Sequence, residues 1–120
     1  MFVYLPQPNQ MEFFTKNQIF NFILDWAAIH CIPQTQLKSY SQNITKHCKK
    51  GGLLLVRSFS SPLGEKYFYE ESDGIKSKIY LYKRKDLQNL FSEFHILSSN
   101  ISKPKTKPQY QFIELLFQRN

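Results

Sequence analysis

The sequence predicts a single α+β domain, and three observations carry that expectation. Apolar residues recur at helical spacing between residues 16 and 50. From Leu53 the period changes to that of strands, and Asp73-Gly74 sits between two strand-patterned runs as a hairpin turn. A chain of 120 residues is one domain's worth, and 42% apolar with 16% aromatic residues excludes a disordered chain.

Thr15-Lys16-Asn17-Gln18 has the spacing of a capping box, and Ile19, Phe20, Ile23, Trp26, Ala27 and His30 fall on one face of a helix over residues 16–30. Pro33 breaks that helix. Thr35 then caps a short second one, with Leu37 and Tyr40 inward and Lys38 and Ser39 outside. Ser41-Gln42-Asn43 turns the chain or caps again. Ile44 to Lys50 continues in helical register, and Gly51-Gly52 supplies the stop that a helix C-terminus favours.

Leu53 to Phe59 reads as a buried strand, Ser60 to Gly64 as a loop and Lys66 to Glu70 as a returning strand. After the Asp73-Gly74 turn, Lys76 to Lys83 forms a third strand with Lys76, Lys78, Tyr80 and Tyr82 on one face. Residues 85–95 are helical, with Leu87, Leu90, Phe91 and Phe94 as the apolar stripe. The chain thus divides into an N-terminal extension (1–14), a folded domain (15–97), and a basic linker with an apolar C-terminal segment (98–120).

Three helices closed by Lys49-Lys50-Gly51-Gly52-Leu53-Leu54 and followed by a hairpin resemble the winged helix-turn-helix superfamily over about residues 15–84. The resemblance implies a three-helix core with a small antiparallel sheet and a C-terminal helix. It makes Ser41 to Lys50 the recognition helix and Ser58 to Glu65 the wing, its tip at Ser60-Gly64. The acidic turn at Glu70, Glu71 and Asp73 is kept away from the partner.

Sixteen Lys+Arg against nine Asp+Glu give a net charge of +7, which suits a polyanion. No acidic residue stands between Asp25 and Glu65, while Lys38, Lys46, Lys49, Lys50 and Arg57 do. These cations neutralise phosphates, and Gln42, Asn43 and Thr45 reach base edges, with Ser41, Ser60 and Ser61 completing the expected surface. The expectation is a duplex-DNA-binding regulator or accessory factor of a mobile or viral genome, with no enzymatic activity and no cofactor. Two alternatives stand beside it. One is an RNA or single-strand binder stacking bases on Lys76, Lys78, Tyr80 and Tyr82. The other is a protein-interaction adaptor whose segment Phe112, Ile113, Leu115, Leu116 and Phe117 docks a partner or forms a homodimer.

The dipeptides His30-Cys31 and His47-Cys48 invite a zinc reading, but adjacent residues diverge by about 100° in a helix and zinc pairs are spaced wider. No metal is expected. Cys31 and Cys48 lack a neighbouring motif that would activate a thiolate, and two cysteines make no disulfide framework. The apolar stretch Ile19–Cys31 is interrupted by Asn21 and Asp25 and is short for a membrane span. A soluble protein of the cytoplasm or nucleus, without membrane contact, follows.

Overall fold

The computed structural model describes residues 2–4 and 18–120. In chain order its elements are β1 (Phe2–Tyr4), β2 (Phe20–Trp26), α1 (Leu37–His47), β3 (Cys48–Ser60), β4 (Tyr67–Ser72), β5 (Ile75–Tyr80), α2 (Arg84–Leu90), β6 (Phe94–Ser102) and β7 (Gln111–Arg119). Short 3-10 turns at Ile29–Cys31 and Gln34–Gln36 lead into α1. Five strands form one sheet in the order β1-β2-β3-β7-β6, and β4 and β5 form a separate hairpin.

Strand β3 organises the sheet. On one edge it runs parallel to β2, with Leu24 opposite Leu55 and Trp26 opposite Arg57. On its other edge it runs antiparallel to β7, with Leu55 opposite Leu116 and Phe59 opposite Phe112. Strand β1 lies parallel to β2, and β6 lies antiparallel to β7. Alternation along the strands sends Ile23, Leu54, Val56, Ile113, Leu115 and Phe117 to one face. There they meet Tyr40 and Ile44 of α1, Leu87 of α2, and Phe91 and Phe94 beyond it to make the core. The opposite face carries half-buried Leu24, Trp26, Leu55, Arg57 and Leu116.

The three-helix winged core is therefore not the fold of this chain. Only two α-helices occur among the described residues, set against a five-stranded sheet. Residues 20–26, expected as the heart of a first helix, are strand β2. Phe20, Ile23 and Trp26 fit a helical period, but Phe-Asn-Phe-Ile-Leu-Asp-Trp is apolar at nearly every position, as a strand between two parallel neighbours must be. The expected cap at Thr15 to Asn17 lies outside the described residues. The second and third short helices are one continuous helix, α1, because Ser41-Gln42-Asn43 neither turns nor breaks it.

Gly51 and Gly52 end no helix. They lie within β3, where the pairing jumps from Phe20–Cys48 to Phe22–Leu53. Gly51 has φ 79°, and a Cβ on Gly52 would come within 2.7 Å of the Lys49 carbonyl, so the bulge requires both. The Asp73-Gly74 turn is as the sequence reads, with φ of 52° and 76° closing β4 onto β5. Strand β4 returns onto β5 and not onto β3.

The expected boundary between residues 97 and 98 falls inside β6, and the apolar C-terminal segment is β7, the strand between β3 and β6. Ile113, Leu115 and Phe117 are thereby spent in this chain's own core. Phe117 is fully buried, its ring centroid 5.4 Å from Phe91 and 6.1 Å from Phe94. Phe117→Ala should destabilise the fold by about 3–5 kcal/mol, read as a lowered denaturation midpoint with an unchanged slope.

Candidate functional site

In an open sheet with parallel strands, ligands gather beyond the carboxyl ends of those strands, where the loops leave the sheet. In this chain that edge is formed by Trp26 and the loop after it, and by Ser60 and Ser61 at the end of β3.

Asp25 is the anchor of this edge. Its Oδ1 accepts the amides of Ala28 (3.0 Å) and Ile29 (3.1 Å), and its Oδ2 accepts the hydroxyl of Tyr40 (2.5 Å). One carboxylate thus holds the turn after β2 and ties it to α1. Ala27 is forced to φ 65° at this turn, its N–H donating a hydrogen bond to the Arg57 carbonyl. Burial raises the Asp25 pKa to about 6, against the pull of its three hydrogen bonds.

His30 follows in the 3-10 turn. It is 6% exposed, its ring lies 5.0 Å from Phe59, and its Nδ1 is buried with no hydrogen-bond partner among the described residues. Burial lowers its pKa to about 4, so the imidazole is neutral at physiological pH. Burial, with Glu70 and Asp25 adding repulsion, raises the neighbouring Cys31 thiol. It is no activated nucleophile.

Two cavities open on the helical side. One, of about 530 Å³, lies between α1 and the end of α2, with Lys38, Ser41, Gln42, Thr45 and Lys46 along one wall and Glu93 and Arg119 among the others. The second, of about 610 Å³, sits at the carboxyl end between Gln34, the base of the hairpin and α2. Asn89 and Leu90 border both.

The residues expected to contact nucleic acid are scattered by this fold. Lys38, Ser41, Gln42, Thr45 and Lys46 share the first cavity, and Asn43 is half-buried on the same helix. Lys49 and Lys50 are exposed at the amino end of β3, while Ser60 and Ser61 are buried at its other end, roughly 35 Å away along an extended strand. Ser61 is occupied locally, its Oγ bonded to Glu65 and to the Leu63 amide. Arg57 lies between aromatic rings, its guanidinium 4.4 Å from the Trp26 centroid and 4.0 Å from Phe112, with Glu114 at 3.5 Å. His30-Cys31 and His47-Cys48 stand at opposite ends of the β2–α1–β3 crossover. Among the described residues no group of three His, Cys, Asp or Glu side chains converges as metal ligands would. Sequence reasoning missed Asp25 as the anchor; its one signal was a carboxylate inside an otherwise apolar run.

Asp25 and His30 pull the pH dependence of stability in opposite directions. The folded pKa of Asp25, about 6, lies above its ordinary 3.8, so its contribution to stability is lost as pH rises across that interval. The folded pKa of His30, about 4, lies below its ordinary 6.5, so its contribution is lost as pH falls across that interval. The unaltered protein should show a shallow net profile. Asp25→Asn should uncover the histidine, with stability climbing by on the order of 3 kcal/mol as pH rises from 4 to 6.5. His30→Phe should uncover the opposite slope. Denaturation at stepped pH reads both, and two variants that keep the original profile would rule these groups out as its source.

No family model matches this chain, and no curated protein matches it in sequence. Solved structures do match in fold. An S-adenosylmethionine-dependent methyltransferase from Methanosarcina mazei superposes with a TM-score of 0.72 at 13% identity, over 88% of this chain and 63% of its own. The 1,6-didemethyltoxoflavin-N1-methyltransferase of Burkholderia thailandensis, solved with bound 1,6-didemethyltoxoflavin and S-adenosylhomocysteine, gives 0.73 at 13% identity over 92% and 48%. The N-methyltransferase NodS of Bradyrhizobium japonicum gives 0.64 at 12% identity over 91% and 50%. This chain spans about half to two thirds of those structures. These likenesses overturn the winged helix-turn-helix resemblance. With it fall the DNA-binding regulator, its duplex partner, the adaptor and single-strand alternatives, the homodimer through the C-terminal segment, and the expectation of a chain that is no enzyme. What this chain shares with these structures is the Rossmann-like fold of S-adenosylmethionine-dependent methyltransferases.

Proposed function

We propose that the described part of this chain is the acceptor-binding part of a small-molecule methyltransferase. The observation that carries the proposal is the sheet itself. Two parallel crossovers followed by an antiparallel strand inserted before the edge superpose over about nine tenths of the chain on methyltransferases. The cavity at the carboxyl end, lined by tyrosines and leucines beside one lysine and one aspartate, supports a small-molecule ligand there.

The methyl donor is a different matter. A nucleoside bound across the ends of parallel strands needs glycines where the backbone must approach it closely. The four glycines of this chain are Gly51 and Gly52 in the β3 bulge, Gly64 in the loop after β3, and Gly74 in the hairpin turn. Asp25, the carboxylate at the end of β2, has both oxygens engaged internally and is sealed from solvent. The described residues therefore do not fit a donor site.

No helix among the described residues is long and apolar enough to cross a membrane. The two free cysteines support a reducing compartment such as the cytoplasm.

Thermal unfolding with added ligands tests the division. Compounds from a panel of neutral amines, phenols and heterocycles should raise the unfolding temperature as mass action requires, and S-adenosylhomocysteine alone should leave it unchanged. Strong stabilisation by S-adenosylhomocysteine alone would show a complete donor site and overturn the division. A panel without a single stabiliser would remove the acceptor role.

A further inference from the structure

The cavity at the carboxyl end has a chemistry that narrows its ligand, on the proposed acceptor-binding role. It measures about 610 Å³, the size of a small-molecule site, and three tyrosines line it: Tyr67, Tyr80 and Tyr82. Tyr67 and Tyr80 are directly opposed across the base of the β4–β5 hairpin, so register places two rings at one wall. The Lys78 ammonium lies 4.0 Å from the Tyr67 centroid and 5.5 Å from that of Tyr80, which ties both rings to the hairpin.

Tyr82 comes from the segment between β5 and α2. Its amide donates to the Phe59 carbonyl at the end of β3, which fixes the ring beside the carboxyl edge of the sheet. Its hydroxyl oxygen accepts Gln34 Nε2 at 2.8 Å. With that lone pair engaged by a donor, the Tyr82 proton is left to point elsewhere, and the cavity it lines offers the place. Leu37, Leu81 and Leu90 add apolar surface to the walls, and Lys66, Asp86 and Asn89 stand at them as polar groups.

Two tyrosine rings at one wall, a directed hydroxyl donor and leucine surface suit a flat ring system that carries a hydrogen-bond acceptor. We propose that this cavity binds a planar aromatic or heteroaromatic small molecule, stacked against Tyr67 and Tyr80 and hydrogen-bonded by Tyr82, as the methyl acceptor. An aliphatic acceptor would gain the leucine contacts and forfeit the stacking.

Coumarin and octahydrocoumarin separate these cases, because both are neutral and keep the same lactone carbonyl while only one is flat and aromatic. Each is titrated into the isotopically labelled protein and followed by amide chemical shifts. Coumarin should bind saturably and move the resonances of Gln34, Leu37, Tyr67, Tyr82 and Leu90, with octahydrocoumarin about tenfold weaker. Tyr67→Ala and Tyr80→Ala should each weaken coumarin about twofold to tenfold. Tyr67 is 44% exposed, so its removal leaves the core intact, and the variant's own spectrum checks this. Tyr82→Phe keeps the ring and removes the donor, and should weaken both lactones equally. Absence of saturable coumarin binding, equal affinity for the two lactones, or indifference to Tyr67→Ala in a folded variant would each overturn the proposal. Equal affinity leaves the acceptor-binding role standing with an aliphatic ligand, whereas the thermal experiment with S-adenosylhomocysteine addresses that role independently of ring chemistry.

Discussion

The rest of the structure depends on β3 having a partner on each edge. A parallel neighbour on one side and an antiparallel one on the other satisfy its backbone along most of its length, and this makes a 13-residue strand possible at all. From that arrangement follow the places of the other elements. The parallel edge demands a crossover, and α1 supplies it; the antiparallel edge demands a strand that returns from the far side, and β7 arrives from the chain's end. The core is then the set of side chains that these strands and two helices turn toward one another.

Asp25 shows how that arrangement is locked at the edge where ligands would enter. A buried carboxylate is costly unless its oxygens are engaged, and here two amides and a tyrosine hydroxyl engage them. The turn after β2, the strained Ala27 and the start of α1 are thereby one unit. His30 rides on that unit, and its position beside Phe59 is a consequence of the turn that Asp25 holds. The hairpin is joined to the same edge through Phe68, which meets Phe59 at 5.3 Å and stacks on Tyr110 at 4.5 Å.

The basic character of the chain has a different meaning on this fold. Arg57 is absorbed into an aromatic sandwich across the sheet, with Glu114 as its counter-charge. Lys78 is laid over tyrosines, and Lys107 lies 5.3 Å from the Phe68 ring. Arg57, which looks like a phosphate contact in one dimension, is a partner of aromatic side chains in three, and a stem packed on a ring serves the fold as much as its charge serves solubility.

By itself the sequence determined what local chemistry controls. The Asp73-Gly74 turn, the strand through Leu53 to Phe59 and a helix bearing Leu87 and Leu90 follow from residue type and spacing, because positive φ, alternation and helical period are local properties. Tertiary structure decided what depends on partners distant in the chain. Residues 20–26 carry apolar side chains that satisfy a helical and a strand period alike, and only pairing with β1 and β3 selected the strand. Gly51-Gly52 reads as a helix stop until a parallel neighbour with fewer residues turns it into a bulge. The segment after residue 110 reads as a tail until β3 and β6 take it between them. Of the candidate site only Tyr80 and Tyr82 were legible, as rings read onto one strand face; Asp25, His30 and Tyr40, and then Tyr67 and Gln34, are brought to the sheet's carboxyl edge by the fold, and no spacing along the chain records that edge.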